Sequence, residues 1–282
     1  KKDNLLSFLE QKASLMLSWL KNVTYKNGEI PMVNDSTFNI APSSKELFDY
    51  VKHLGIQNKK IPLYDSGYRK IISKNYELFI DVGNVVSDYQ PAHTHSDTFN
   101  FELIKNGNPI FVDTGISTYE KNKKRQEERS THSHNTVEIN SQNQNQVWGG
   151  FRLARRAKII NLIERDSCIS ATHDGYKRKG FLHNRVFEWS DHDITIKDFL
   201  NKSSINKAQA HFHFHSSITK PILKNDKVIL TERNIIISFE GYSNIKIKSY
   251  GLSLGFNKIN KASKLIVDFD KNLNTLISFK NG

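Results

Sequence analysis

His93 and His95, one residue apart in Pro91–Asp97, open an ordered series of side chains able to do chemistry. Asp113 follows in Phe111–Gly115, and His134 in Ser133–Thr136. His, His, Asp and His in this order can supply a metal site together with a proton-transfer group. On an extended segment His93 and His95 point to the same side. Zinc takes nitrogen, oxygen and sulfur donors in a tetrahedron, and a His-x-His pair offers two nitrogens. Histidine also titrates near neutrality, which suits proton transfer. The spacing alone leaves two readings open: a metal site, or polar histidines at strand ends.

Two further groups carry the same residue types. In Ala210–His215, alternation puts His211, His213 and His215 on one face of a strand and Phe212 and Phe214 on the other. This fits a metal site, or a half-buried strand with a polar outer face. In His173-Asp174-Gly175-Tyr176 the Asp-Gly pair signals a turn, with His183 and Arg185 shortly after. The turn would present His173 and Tyr176 together, or it is an ordinary hairpin with a packed tyrosine. No nucleophile elbow, phosphate-binding loop or dinucleotide fingerprint is present.

The elements that must position these residues change character along the chain. Apolar residues from Leu5 to Leu20 surround much of a helix, with Asp3 as its N-cap. A helix apolar on all sides must pack on others. Residue 1 is not Met and already lies in this helical pattern, so the sequence reads as beginning inside a longer protein. Ser43-x-x-Glu46 predicts a capping box and a second helix that stops at Gly55. From about Tyr68 many short strands follow, divided by turn signals. The expectation is a mainly β chain: a helical segment over 1–60, then a large antiparallel β-sandwich over 61–282.

Composition narrows the function classes. With 282 residues, 37% hydrophobic and 25% charged, the chain can bury a real core. Glu10, Gln11 and Lys12 interrupt its longest apolar stretch, so no membrane span is expected. A net charge of +12 attracts polyanions. The basic residues are spread out, apart from Lys121, Lys123, Lys124, Arg125 and Arg129, which include Glu127 and Glu128 among them. That argues against nucleic acid. A single cysteine, Cys168, excludes an internal disulfide and any Cys-rich metal site.

The ordered segments resemble the C-terminal part of the heparinase II/III-like polysaccharide lyases, a group that includes alginate lyases with an α/α toroid. The resemblance runs from about Leu15 to Phe187. It is carried by Gly28-Glu29-Ile30-Pro31 with Asn34-Asp35-Ser36, Tyr68–Val82, His93–Asp97, Asn108–Gly115 with Tyr119, Arg129-Ser130-Thr131, His134–Val137 and His173–Tyr176. Ala92 and Thr94 stand where the family has glycines.

The resemblance implies the end of a toroid followed by an antiparallel sandwich, with a cleft between them. It implies β-elimination on a uronic-acid polysaccharide. There His93 matches the catalytic histidine, and His95, Asp113 and His134 match ligands of a structural zinc. Asn34 and Asp35 match a loop facing the cleft, which Arg129, His173 and Tyr176 also line. It further implies a bacterial protein in the periplasm or outside the cell, and an acidic polysaccharide as partner. The Asn-Asp-Ser loop resembles members that accompany capsule or exopolysaccharide synthesis. The toroid's tyrosine and its carboxylate-neutralising residue have no match here, and Tyr25 is not at the corresponding position. Little lyase activity is therefore expected of these residues alone. A non-catalytic carbohydrate-binding sandwich with structural zinc is the alternative. A hydrolase built on Asp35, Asp97 and Asp113 is a third.

Overall fold

The computed structural model of the chain describes residues 2–59, 61–85, 89–205 and 207–280. Lys1 and Lys60, the ends of the expected helical segment, lie outside them. Two helices come first, α1 (Lys2–Val23) and α2 (Ser44–His53). The capping box forms: Ser43 Oγ accepts from Glu46 N at 3.3 Å, and Glu46 Oε2 accepts from Ser43 N at 2.7 Å. Asp3, expected to cap α1, sits inside its first turn instead. There its charge still complements the helix dipole.

α1 buries Ser14 and Ser18 in its middle and Val23 at its end, and leaves much of its apolar side open. Ser18 Oγ accepts from Lys59 N at 2.6 Å, and Ser14 Oγ donates to Gln57 O at 2.5 Å. Leu5, Leu6, Phe8, Leu9 and Met16 are each more than half exposed. Among the described residues the 57–59 segment covers the side of Ser14 and Ser18, Leu20 and Val23 pack with Tyr25, Val33 and Phe79, and Leu5, Leu6, Phe8, Leu9 and Met16 stay uncovered.

Strands β1 (Tyr68–Ile72), β2 (Tyr76–Asp81), β3 (Phe101–Lys105) and β4 (Asn108–Phe111) form an antiparallel meander. A short helix, α3 (Lys123–Glu128), follows. The next strands are β5 (Val137–Ile139), β6 (Gln146–Trp148), β7 (Arg152–Ala154), β8 (Ile159–Arg165), β9 (Cys168–His173), β10 (His183–Trp189), β11 (Asp193–Leu200) and β12 (Ala208–His213). The last are β13 (Ile222–Lys224), β14 (Lys227–Leu230), β15 (Ile235–Gly255) and β16 (Lys258–Phe279). β6 and β7 make a separate hairpin. The remainder form one large sheet in the order β13-β14-β15-β16-β11-β10-β9-β8, with β12 bridging β16 and β5.

The meander lies on the large sheet, and the aromatic side chains between them are the core. Phe101 meets Phe111, Phe187 and Phe212 at ring-centroid distances of 5.7, 6.0 and 6.1 Å. Phe111 stacks on Phe214 at 5.1 Å. These offset and edge-on contacts are the arrangements aromatic quadrupoles favour. Such a layered antiparallel sandwich after a short helical stretch is the architecture the sequence predicts.

Two differences have clear causes. The separate strands expected at Ile235–Phe239 and Ile245–Lys248 are one strand, β15, and those at Lys264–Phe269 and Thr275–Phe279 are one strand, β16. The register shifts at Glu240/Tyr242 and Tyr242/Asn244 let the pair bend without breaking. In β12, both faces are buried: Phe212 and His213 are fully enclosed and His211 is 2% exposed. The polar outer face expected there is covered, with Glu138 Oε2 3.7 Å from His211 Nε2 and Tyr250 edge-on to His213. Burial lowers the pKa of His211 to about 4 and keeps it neutral.

Candidate catalytic and metal-binding site

Asp35 is the centre of the site. It sits in a turn in which Ser36 N donates to Val33 O at 3.2 Å and Asn34 adopts φ 55. Asn tolerates this left-handed conformation better than most residues. Asn34 itself turns to the meander, donating from Nδ2 to Tyr68 Oη at 2.9 Å.

The Asp35 carboxylate binds three side chains. Its Oδ2 lies 2.7 Å from His93 Nδ1, and its Oδ1 lies 2.9 Å from His95 Nε2. Arg125 of α3 donates to both oxygens, at 2.5 and 2.7 Å. Burial alone would raise the pKa of Asp35. The hydrogen bonds of His95 and Arg125 outweigh it and hold the carboxyl far below the usual range. His95 is fully buried while the His93 side chain is 60% exposed. Asp35 thus anchors one nitrogen of a solvent-facing imidazole.

Asp113, beyond the end of β4, organises the buried half. Gly115 adopts φ 64 and its N donates to Asp113 Oδ1 at 3.0 Å. Asp113 Oδ2 accepts from Asn100 at 2.8 Å and lies 2.7 Å from His134 Nδ1. Burial opposes the charge on His134, but the charge and hydrogen bond of Asp113 win and raise its pKa. The His95 and His134 rings are 5.3 Å apart. His95 Nδ1 and His134 Nε2 are both buried without a hydrogen-bond partner.

Two open imidazole nitrogens beside a carboxylate fit zinc in donor type. Asp113 fits less directly. It holds the outer nitrogen of His134, the position a carboxylate takes behind a metal-ligating histidine. As placed, no three His, Cys, Asp or Glu side chains among the described residues converge as ligands. Asp97, buried at 5% exposure, interacts electrostatically with both His95 and His134.

Arg129 is fully buried. Its Nη1 donates to Gly150 O at 2.8 Å and its Nη2 to Thr94 O at 2.9 Å. It therefore pins the β6–β7 tip to the His93–His95 segment. His173 and Tyr176, expected to line a cleft, are buried, at 0% and 2% exposure, and of the two Tyr176 borders a pocket at the base of β6–β7. Tyr176 Oη donates to Val137 O at 2.8 Å. His173 belongs to a relay: Gly175 N donates to its Nδ1 at 3.1 Å, its Nε2 lies 3.1 Å from His183 Nδ1, and His183 Nε2 lies 2.7 Å from Asp198 Oδ1. With both rings protonated on Nε2, every bond in this chain has a donor and an acceptor.

Sequence reasoning missed several residues. Arg125 was visible only as one cation in a basic run. Asn100 gave no signal and Asn135 only its place in His134–Val137, yet Asn135 Nδ2 donates to Phe101 O and Val112 O and its N donates to Asn100 Oδ1 at 2.8 Å. Phe151, whose ring lies 6.2 Å from that of His93, was also missed. Tyr119 is equally near His93 at 6.2 Å.

This constellation stands within a sequence pattern shared by known proteins. The heparinase II/III-like, C-terminal family model matches residues 57–280. The chain belongs to this family. Among curated protein sequences nothing matches significantly. Solved structures are similar to this heparinase II/III-like chain. Against the heparan sulfate lyase HepC from Pedobacter heparinus, the TM-score is 0.70 at 16% identity, covering 95% of this chain and 46% of that one. Against a heparinase III structure, the TM-score is 0.66 at 16% identity, covering 97% of this chain and 48% of that one. At such identity the likeness is one of fold. The chain spans a little under half the length of these structures. Membership places it in a family of polysaccharide lyases.

Proposed function

We propose that this chain is the sandwich part of a lyase that cleaves a uronic-acid polysaccharide by β-elimination, with His93 as a proton-transfer residue. The observation that carries the reading is the contrast between His93 and His95. Both are held by Asp35, but one ring is open to solvent and the other is enclosed. A proton-transfer group must reach substrate, and a structural ligand must not.

The chemistry sets clear demands. The proton at C5 of a uronate is weakly acidic, so the neighbouring carboxylate must be neutralised as negative charge builds. One group removes that proton, and another protonates the leaving oxygen. With Nδ1 fixed at Asp35, the His93 ring presents Nε2 for one of these transfers. Tyr119 and Phe151 flank it, at 40% and 39% exposure, and give a sugar ring an apolar wall. Asn34 and Asp35 shape the floor. His95 and His134 would offer their open nitrogens to a zinc ion, with Asp113 holding His134 from behind, and the ion would brace the loops beneath His93. The carboxylate-neutralising group and the second proton-transfer group belong, in this proposal, to a helical part outside these residues. A polysaccharide substrate also places the protein in the periplasm or outside the cell.

The test is depolymerisation of a polyuronate, followed by the ultraviolet absorbance of the unsaturated uronate it forms. In a protein carrying both this chain and a helical part, His93→Ala should lower turnover about 100-fold or more. Equal rates for His93→Ala and wild type would refute a proton-transfer role. They would favour a non-catalytic carbohydrate-binding sandwich. The chain alone should show little activity.

A further inference from the structure

The β6–β7 hairpin connects the His93 site to a second place on the surface. Its pairs are Gln146–Ala154, Val147–Leu153 and Trp148–Arg152. Residues directly opposite share a face, and alternate residues along a strand do too. One face therefore carries Gln146, Trp148, Arg152 and Ala154. Gln146, Trp148 and Arg152 are exposed, with Trp148 at 40%. The tip turns through Gly149 at φ 61 and Gly150 at φ 83, and the next residue, Phe151, reaches His93. Arg125 and Arg129 fix this tip by donating to Gly150 O at 3.0 and 2.8 Å.

At the base of the hairpin lies a pocket of about 440 Å³. Gln144, Gln146, Arg155, Lys177, Arg178 and Lys179 line it. The four cations are exposed, and among the described residues none has a carboxylate within ion-pair distance. One carboxylate, Asp174, also lines the pocket, and its Oδ1 already accepts from Lys158 N at 2.8 Å. Gln144 is 1% exposed and its Oε1 has no donor. Arg155 is held at φ 47, a left-handed backbone that a side chain of this size rarely adopts. Strain of this kind concentrates at functional sites. The hairpin's three pairs set the pocket about 10 Å from the tip, at roughly 3.3 Å per residue.

We propose that the β6–β7 hairpin is a track for an anionic polysaccharide, and that the basic pocket at its base binds a carboxylate or sulfate of a sugar beyond the one at His93. The inference rests on the reading of His93 as the reacting end. Trp148 supplies a flat ring for a sugar face, and its indole N–H can bond a hydroxyl. Arg152 continues the positive charge between tip and pocket. Four cations at one place raise the local concentration of a polyanion and orient it along the hairpin.

The test compares binding of a heparan sulfate octasaccharide, an unsulfated oligogalacturonate of the same length, and a disaccharide of each, by calorimetry at low salt. The variants are R155Q/K177Q/K179Q, and a charge-matched control on exposed lysines elsewhere, K220Q/K224Q/K227Q. The pocket variant should weaken at least one octasaccharide about tenfold and leave the disaccharides nearly unchanged. The control should change either octasaccharide less than about twofold. Which octasaccharide responds tells sulfate from carboxylate. Equal weakening by both variants would mean only a diffuse attraction and would overturn the pocket. So would a wild type that binds neither octasaccharide. If the pocket variant weakens binding but His93→Ala cleaves as wild type does, the reading of His93 fails while the binding site stands.

Discussion

Arg125 grips Asp35 with both arms of its guanidinium, Nη1 to Oδ1 at 2.5 Å and Nη2 to Oδ2 at 2.7 Å, across 90 positions of sequence. The pair is nearly dry, with side-chain exposures of 0% and 5%. It ties the Asn34–Asp35 turn to α3, and the same carboxylate holds His93 and His95. One ion pair therefore decides where the two histidines stand.

Removing one partner leaves a buried charge alone. Asp35→Ala should destabilise the chain by about 3–5 kcal/mol, as Arg125 loses its counter-ion. Adding Arg125→Met to Asp35→Ala should recover part of that loss, because the orphaned charge is then gone. Urea unfolding of both variants checks this. A double variant no more stable than Asp35→Ala would mean that the pair is not buried as described.

Zinc should bind near one equivalent per chain by elemental analysis. It should be lost in His95→Ala and His134→Ala, whose open nitrogens would be ligands. At a hundredfold excess over its Kd, a bound ion adds about 2.7 kcal/mol to stability. A chelator should therefore lower the melting temperature of wild type and leave both variants where they are. Zinc retained by both variants would move the metal to another site.

Asp198 predicts acid sensitivity. Burial alone would raise its pKa, but the Arg185 charge and the His183 hydrogen bond bring it down to about 2, from 3.8 for the free side chain. A depressed carboxyl contributes stability that is complete above pH 3.8 and is lost as pH falls through about 2. The amount is about 2–3 kcal/mol. Asp198→Asn should cost about 3–5 kcal/mol at neutral pH, by stranding Arg185. It should also remove this part of the acid-dependent loss. The check is urea unfolding between pH 5 and pH 2, where parallel curves for the two proteins would contradict the assignment.

Gly67 marks a crossing with no room for a side chain. A Cβ there would stand 2.2 Å from Gly83 Cα, on a backbone with φ +79. The neighbour is backbone, so no side-chain rotation relieves the clash. Gly67→Ala should destabilise by about 3 kcal/mol or more, and thermal unfolding measures it. A melting temperature within a degree or two of wild type would show that the β1–β2 end can move apart.

Several features were legible in the chain because they are local. The Ser43 capping box needs only its own four residues and forms as read. The short strands from Tyr68 onward declare themselves by composition and turn residues, and with them the mainly β class. The order His93, His95, Asp113, His134 carried the family resemblance, and the family match over 57–280 agrees with it.

What only the tertiary structure decided is which of these residues touch. Alternation in β12 shows that His211 and His213 share a face, but not that Glu138 and Tyr250 cover it. The Asp-Gly turn left open whether it presents His173 and Tyr176 or packs them, and the sandwich encloses His173 and packs Tyr176 against Val137 O at the edge of a pocket. Asp35 is legible as part of a cleft loop and Arg125 as one cation of a basic run, but their pairing arises only when the sandwich brings α3 against the Asn34 turn. A sequence sets local conformation through the sterics and hydrogen bonds of a few neighbouring residues. Burial and ion pairing depend on contacts between distant segments, and those exist only once the chain has packed.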